Sequence, residues 1–192
     1  MGPTRRRASL LPDGTGIWGP SWHLAADRHS FSPVDPSGVE DLNQAQLQNV
    51  DFRIFWHCHP GQATRGFAVR EDGELVALAA VRPVGDDLWE VGLDVAPGHR
   101  GRGLGRVVFS AAGSWSLAHG GLVYSSVSAW NVPSARTQRS VGPIHIFTDM
   151  LALPAPFRMP PQPLGRPRPD AELVNYYPDW GVNPDIAAKP VD

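Results

Sequence analysis

The run Arg100-Gly101-Arg102-Gly103-Leu104-Gly105 constrains this chain more than any other stretch. Apolar residues precede it at Val91, Leu93 and Val95, and Leu104, Val107, Val108, Ala111, Ala112, Trp115 and Ala118 follow at offsets of three and four. The pattern predicts a strand that enters a helix over residues 103–119 through a glycine-rich turn, with one broad apolar stripe along the helix. Glycines at such a turn let backbone come close to an anion, and the unpaired N–H groups of the first helical turn point at it. Arg100, Arg102 and Arg106 add charge-assisted contacts. A turn of this kind also serves a tight strand-to-helix connection that holds no ligand.

Two other phosphate-binding patterns are excluded. A Walker A loop needs Gly-Lys-Ser/Thr after its glycines, whereas Arg106 and Val107 stand here. A dinucleotide-binding turn wants an acidic residue about 20 positions on, to hold the ribose hydroxyls. Between Val95 and Thr148 there is no Asp or Glu at all. That stretch holds five arginines and is +5, while the remainder, with 12 basic and 19 acidic residues, is −7. A local patch of this sign suits a small polyanion, and the overall charge of −2 gives no general pull toward nucleic acid or a membrane surface.

Three zones divide the chain. Residues 1–36, rich in Gly, Pro, Ser and Trp, read as irregular apart from a short strand near residues 17–24. Residues 37–153 form the patterned domain. A helix is expected over residues 39–50, from Leu42, Ala45, Leu47 and Val50. Strands at 64–70 and 75–84 are joined through Glu71-Asp72-Gly73-Glu74, where Gly73 tolerates the positive φ of a tight hairpin. Gly85-Asp86-Asp87 leads into a strand at 88–95. Beyond the long helix, Gly120-Gly121 stops it; a strand at 122–127, a short helix at 131–141 and a strand at 144–151 follow. Residues 154–192 hold ten of the 20 prolines and read as an extended C-terminal extension, with Leu173-Val174-Asn175-Tyr176-Tyr177 as its one apolar cluster. The expected class is mixed α/β with a largely antiparallel start and one crossover.

Residues 93–105, Leu-Asp-Val-Ala-Pro-Gly-His-Arg-Gly-Arg-Gly-Leu-Gly, resemble motif A of the GNAT superfamily of N-acetyltransferases, whose Gln/Arg-x-x-Gly-x-Gly/Ala core is matched by Arg100, Gly103 and Gly105. Asn131-Val132-Pro133-Ser134, followed by Gly142, resembles motif B at the usual spacing. The resemblance covers residues 64–150. It implies a mostly antiparallel sheet splayed between its fourth and fifth strands, with the pantetheine arm of acetyl-CoA lying in the split. Backbone groups of Leu93, Asp94 and Val95 would meet that arm, and an N–H there would polarise the thioester carbonyl. The amides of residues 100–105 (Arg100, Gly101, Arg102, Gly103, Leu104, Gly105) would take the pyrophosphate with Arg106 beside them. Asn131 and Ser134 would contact the coenzyme near the pantetheine. No metal is implied. The acceptor is an amine of a small molecule or a protein, and a homodimer is an allowed assembly.

Direct transfer needs a base for the amine and an acid for the leaving thiolate. Glu90 is the first choice for the base and Asp94, on the same nominal face, the second. Many family members carry Tyr where Gln138 stands here, so Ser140, Ser134 and Tyr124 are the candidate acids. His57-Cys58-His59 reads as buried aromatic packing around an inert thiol rather than a metal site, because adjacent positions on an extended chain point opposite ways. Trp18, Trp22 and Trp56 fall in the region that shapes the acceptor site, with core packing as their plain reading. The missing Tyr also motivates a non-catalytic acyl-CoA-binding module as an alternative, and the apolar N-terminal half motivates a transferase for a longer acyl chain. Cys58 is the only cysteine, and the basic tip at Arg5, Arg6 and Arg7 is followed by no apolar leader, so a soluble cytoplasmic protein is expected.

Overall fold

The structure, a computed structural model, describes residues 15–129 and 131–154. In chain order its elements are β1 (Thr15–Ala26), β2 (Glu40–Asn43), α1 (Gln44–Leu47), β3 (Arg65–Glu71), β4 (Glu74–Pro83), β5 (Trp89–Val95), a 3-10 turn at Pro97–His99, α2 (Leu104–Gly120), β6 (Val123–Ser128), α3 (Val132–Arg139) and β7 (Ile144–Pro154). All strands join one seven-stranded sheet in the order β2-β3-β4-β5-β6-β1-β7. Every neighbouring pair is antiparallel except β5 and β6, which run parallel through the α2 crossover.

Strand β4 fixes the two layers. Its run Val76-Ala77-Leu78-Ala79-Ala80-Val81 is buried on both faces. Ala77, Ala79 and Val81 face α2, where Val108 and Ala112 of the predicted stripe, together with Phe109 beside it, meet Phe67, Val91 and Val123. Leu78 and Ala80 face the opposite way, onto Leu42, Leu47, Phe55 and Cys58. Each such large side chain, fully buried, contributes about 1.5–3 kcal/mol. The β3–β4 hairpin turns as the sequence predicts, with Asp72 at φ 50° and Gly73 at φ 83°.

Two expectations need correction. The predicted helix over residues 39–50 is a strand followed by a single helical turn. Asn43 accepts from the amide of Gln46 while the Gln46 side chain accepts from the amide of Asn43, a capping box that fixes the helix start at residue 44. Upstream of it the backbone of residues 40–43 pairs with β3. The N-terminal strand is longer than predicted and lies inside the sheet, next to its edge: Thr15–Ala26 pairs with β6 on one side and β7 on the other. A register shift between Trp18 and Ser21 accommodates its Gly19-Pro20 step. Because residues 40–43 add a strand where a helix was expected, the expected split between fourth and fifth strands falls between β5 and β6. The proline-rich extension from residue 155 on, including the cluster at residues 173–177, lies outside the described residues.

Candidate active site

Strands β5 and β6 touch at one register position, Glu90 opposite Tyr124, and then diverge. Beyond that contact the edge of β5 that faces β6 has no strand partner among the described residues. The opening is a cavity of about 320 Å³. Leu93 lies on its β5 wall, Ser126 and Ser128 on its β6 wall, and Asn131, Ser134 and Gln138 at the end formed by α3. The segment His57-Cys58-His59 crosses over Gly92, and β1 contributes Trp18 and Ser21.

The glycine turn lies at the mouth of helix α2. Gly103 is its N-cap at φ 86°, a conformation that favours glycine. Arg106 and Val107 donate back to the Gly103 carbonyl. The amides of residues 101–105 donate no hydrogen bond among the described residues, so a cluster of N–H groups is left for a ligand. Gly105 lets the helix lie close on the sheet: a Cβ there would stand 3.2 Å from Leu93 and 3.4 Å from Val95. The three arginines are not equivalent. Arg102 is paired with Glu71 at 2.7 and 2.8 Å, and Arg100 Nε donates to the Val95 carbonyl at 3.1 Å. Arg106, exposed in the first turn of α2, has no ion pair among the described residues. Donor amides, a free cation and a stretch without acids fit a diphosphate.

At the other end of the cavity a polar chain runs inward. Ser125 Oγ donates to Gln138 Oε1 at 2.6 Å, and Gln138 Nε2 donates to Ser134 Oγ at 2.8 Å. Ser134 therefore accepts from Gln138 and keeps its own O–H for a group in the cavity. Asn131 caps α3 by accepting from the Ser134 amide at 3.3 Å. Ser140 stands outside this arrangement. Ser134 and Gln138, four apart, share the inner face of α3, and Ser140 falls beyond it, exposed and donating to the Thr137 carbonyl at 2.7 Å. Tyr124 is not a cavity residue either; its hydroxyl is held by His23 Nδ1 at 2.6 Å. Its pKa is raised by burial and by the carboxylates of Glu90 and Asp149.

Glu90, Gly92 and Asp94 share the face of β5 away from α2, as their alternation predicts. Glu90 is buried and fully engaged: Oε2 accepts from Arg82 Nε at 2.8 Å, and Oε1 accepts from Ser126 Oγ at 2.6 Å. Burial alone would raise its pKa, but the bonds from Ser126 and Arg82 outweigh that and hold it below the ordinary glutamate value. Its carboxylate is thus a weaker base than a free one. Asp94 turns to His57, accepting from the ring Nδ1 at 2.6 Å and from the backbone amide at 2.8 Å.

Cys58 is inert, as read from the sequence. It is fully buried, burial holds its thiol well above the usual range, and Sγ donates to the Leu78 carbonyl. Its two neighbours depart from the reading of packed, satisfied histidines. His57 lines the cavity, and no hydrogen bond to its Nε2 occurs among the described residues. His59 Nε2 is buried without a partner, and burial depresses that ring to about 4. No sequence motif marks them: the segment is a turn, with His59 at φ 56°, and the Asp94 partner of His57 lies 37 positions away. Of the tryptophans, Trp18 and Trp56 line the cavity, whereas Trp22 packs with Leu24, Val127 and Ala135. Among the described residues no cluster of His, Cys, Asp and Glu is suited to a metal ion, and no helix is long and apolar enough to cross a membrane.

The sequence profile of the acetyltransferase (GNAT) family matches residues 29–142. A streptothricin acetyltransferase of Streptomyces lavendulae is 31% identical over 111 residues, covering 56% of this chain and 53% of that protein. The chain thus spans about half the length of that relative. Among solved structures, a putative GNAT acetyltransferase from Novosphingobium aromaticivorans superposes with a TM-score of 0.59 at 25% identity, over 72% of this chain and 66% of the other. A GNAT acetyltransferase from Colwellia psychrerythraea gives 0.55 at 15% identity, over 76% and 60% of the two chains. The second shares the fold. With the split sheet, the open amide turn and the profile match over more than half its length, the chain belongs to the acetyltransferase (GNAT) family.

Proposed function

We propose that the protein transfers the acetyl group of acetyl-CoA to a primary amine of a small molecule or a protein by direct attack of the amine on the thioester. The observation that carries this reading is the divergence of β5 from β6 after the single Glu90–Tyr124 contact, beside a turn whose amides are unpaired among the described residues. In this reading the diphosphate rests on the amides of residues 101–105 with Arg106 alongside. The pantetheine follows the open edge of β5 past Leu93 toward Asn131 and Ser134. The Ser134 hydroxyl, turned donor by Gln138, hydrogen-bonds the departing sulfur. The relative named for acetylating streptothricin supports acetyl as the transferred group. Trp18 and Trp56 on the far wall suit an acceptor with a flat or apolar body beside its amine.

The test is incubation with acetyl-CoA and a panel of amines, reading free thiol as it forms. Thiol release that depends on an amine, and that falls at least tenfold at limiting acetyl-CoA in Gly103→Val, is expected. A β-branched residue at φ 86° is strained and distorts the amide cluster. Stabilisation by coenzyme A without release of thiol in any mixture would instead favour a binding module, a reading motivated by Gln138 where a Tyr acid is usual.

A further inference from the structure

Two histidines of the cavity, His57 and His59, have a ring nitrogen with no hydrogen-bond partner among the described residues, and in His57 a neighbouring carboxylate fixes which nitrogen that is. Asp94 is buried, and as a carboxylate it can only accept. Its Oδ1 lies 2.6 Å from His57 Nδ1, so the ring proton sits on Nδ1 and the lone pair on Nε2. The second oxygen, Oδ2, takes the His57 backbone amide at 2.8 Å. One side chain therefore fixes ring tautomer, ring orientation and backbone together. The Trp56 ring lies against the imidazole and limits its rotation. Nothing among the described residues occupies Nε2, and the ring lines the same cavity as Leu93, Asn131 and Ser134.

Other bases in the cavity are less suited. Glu90 has its oxygens committed to Arg82 and Ser126. His59 presses against Gly92 with its Nε2 buried. From this geometry we infer that His57 is the general base of the acyl transfer, with Asp94 as its positioning residue. The inference rests on the acyltransferase reading above. In the step it describes, the amine nitrogen forms a bond to the thioester carbonyl carbon, the carbon–sulfur bond breaks and the electron pair leaves with sulfur. His57 Nε2 takes the proton shed by the nitrogen and later gives it to water. The thiolate takes one from solvent, so no net proton is consumed.

The experiment compares wild-type protein with His57→Gln and His57→Ala, at saturating acetyl-CoA and with the amine that wild type turns over best. Glutamine keeps the size and polarity of the ring but takes no proton. A fall in kcat on the order of 10²–10³-fold is expected for both variants. Affinity for acetyl-CoA should be unchanged by calorimetry, and added imidazole should restore part of the His57→Ala rate. Asp94→Asn, which keeps His57 but removes the carboxylate that fixes its tautomer, should lower kcat by on the order of 10²-fold or more. His57→Gln turnover at the wild-type rate overturns the assignment, and so does a loss confined to KM. A large loss in His59→Asn beside an unaffected His57→Gln moves the role to the other ring and equally overturns it. If His57→Gln fails to fold, a wild-type rate in Asp94→Asn overturns it in turn. Wild type that releases no thiol with any amine removes the acyltransferase reading itself, a result distinct from an active wild type with an active His57→Gln.

Discussion

Glu90 stands where the sequence suggested a proton acceptor, and its carboxylate is buried and hydrogen-bonded at both oxygens. Arg82 and Ser126 hold it across the top of the β4–β5 and β5–β6 contacts. Glu90→Gln should cost about 1–3 kcal/mol in urea unfolding at pH 7, since it weakens charge-assisted bonds at a buried group. His59 gives a second, pH-dependent prediction. The unfolded chain protonates this ring near its ordinary value of 6.5, the folded chain only near 4 because of burial. Between those values the unfolded state binds more protons, so stability is complete above pH 6.5 and drains as pH falls toward 4. The lowered pKa of Glu90 adds to the acid side, its contribution lasting above the ordinary glutamate value and lost below it. Urea midpoints measured from pH 7 to 4 should decline from the upper end of that window. His59→Asn, which tolerates the φ of 56°, should flatten the upper part of the decline.

At the scale of elements, the long helix, the β3–β4 hairpin and the glycine turn were legible because each is written locally, in a period, a turn dipeptide or a cap. The Val39–Val50 region was not, since pairing of residues 40–43 with β3 overrides a helical spacing that four apolar residues cannot enforce. β1 was shortened at both ends: Thr15, Gly16, Ala25 and Ala26 carry no strand signal of their own and enter the strand only through pairing with β6 and β7. In the site, the glycine turn was readable from contiguous residues, whereas the Asp94–His57 pair joins β5 to a turn that carries no motif. Gly92 shows how that turn is seated. A Cβ there would stand 1.9 Å from the His57 carbonyl oxygen and 2.9 Å from His59 Nε2. Backbone cannot yield that far, so Gly92→Ala should lift the segment from β5 and cost about 1–3 kcal/mol. The expected signature is loss of acetyl transfer with acetyl-CoA affinity largely kept, read by calorimetry beside the thiol assay.

For the whole molecule, the position of β1 ties the chain's first described strand to its last. It supplies the contact between β6 and β7, and without it two edges would lie open. A chain lacking residues 1–26 should therefore lose cooperative urea unfolding and aggregate, as seen by circular dichroism and light scattering. The lone Glu90–Tyr124 contact has a further consequence. The sheet is two hydrogen-bonded blocks, β2 to β5 and β6-β1-β7, stitched by one register position and clamped by α2. Such blocks open at separate rates in hydrogen exchange when little binds them together. A donor lying along the free edge of β5 would act as mortar between them, so amide protection in β6 should rise with coenzyme concentration even far from the glycine turn. Substrate occupancy would then be written into the rigidity of the entire sheet.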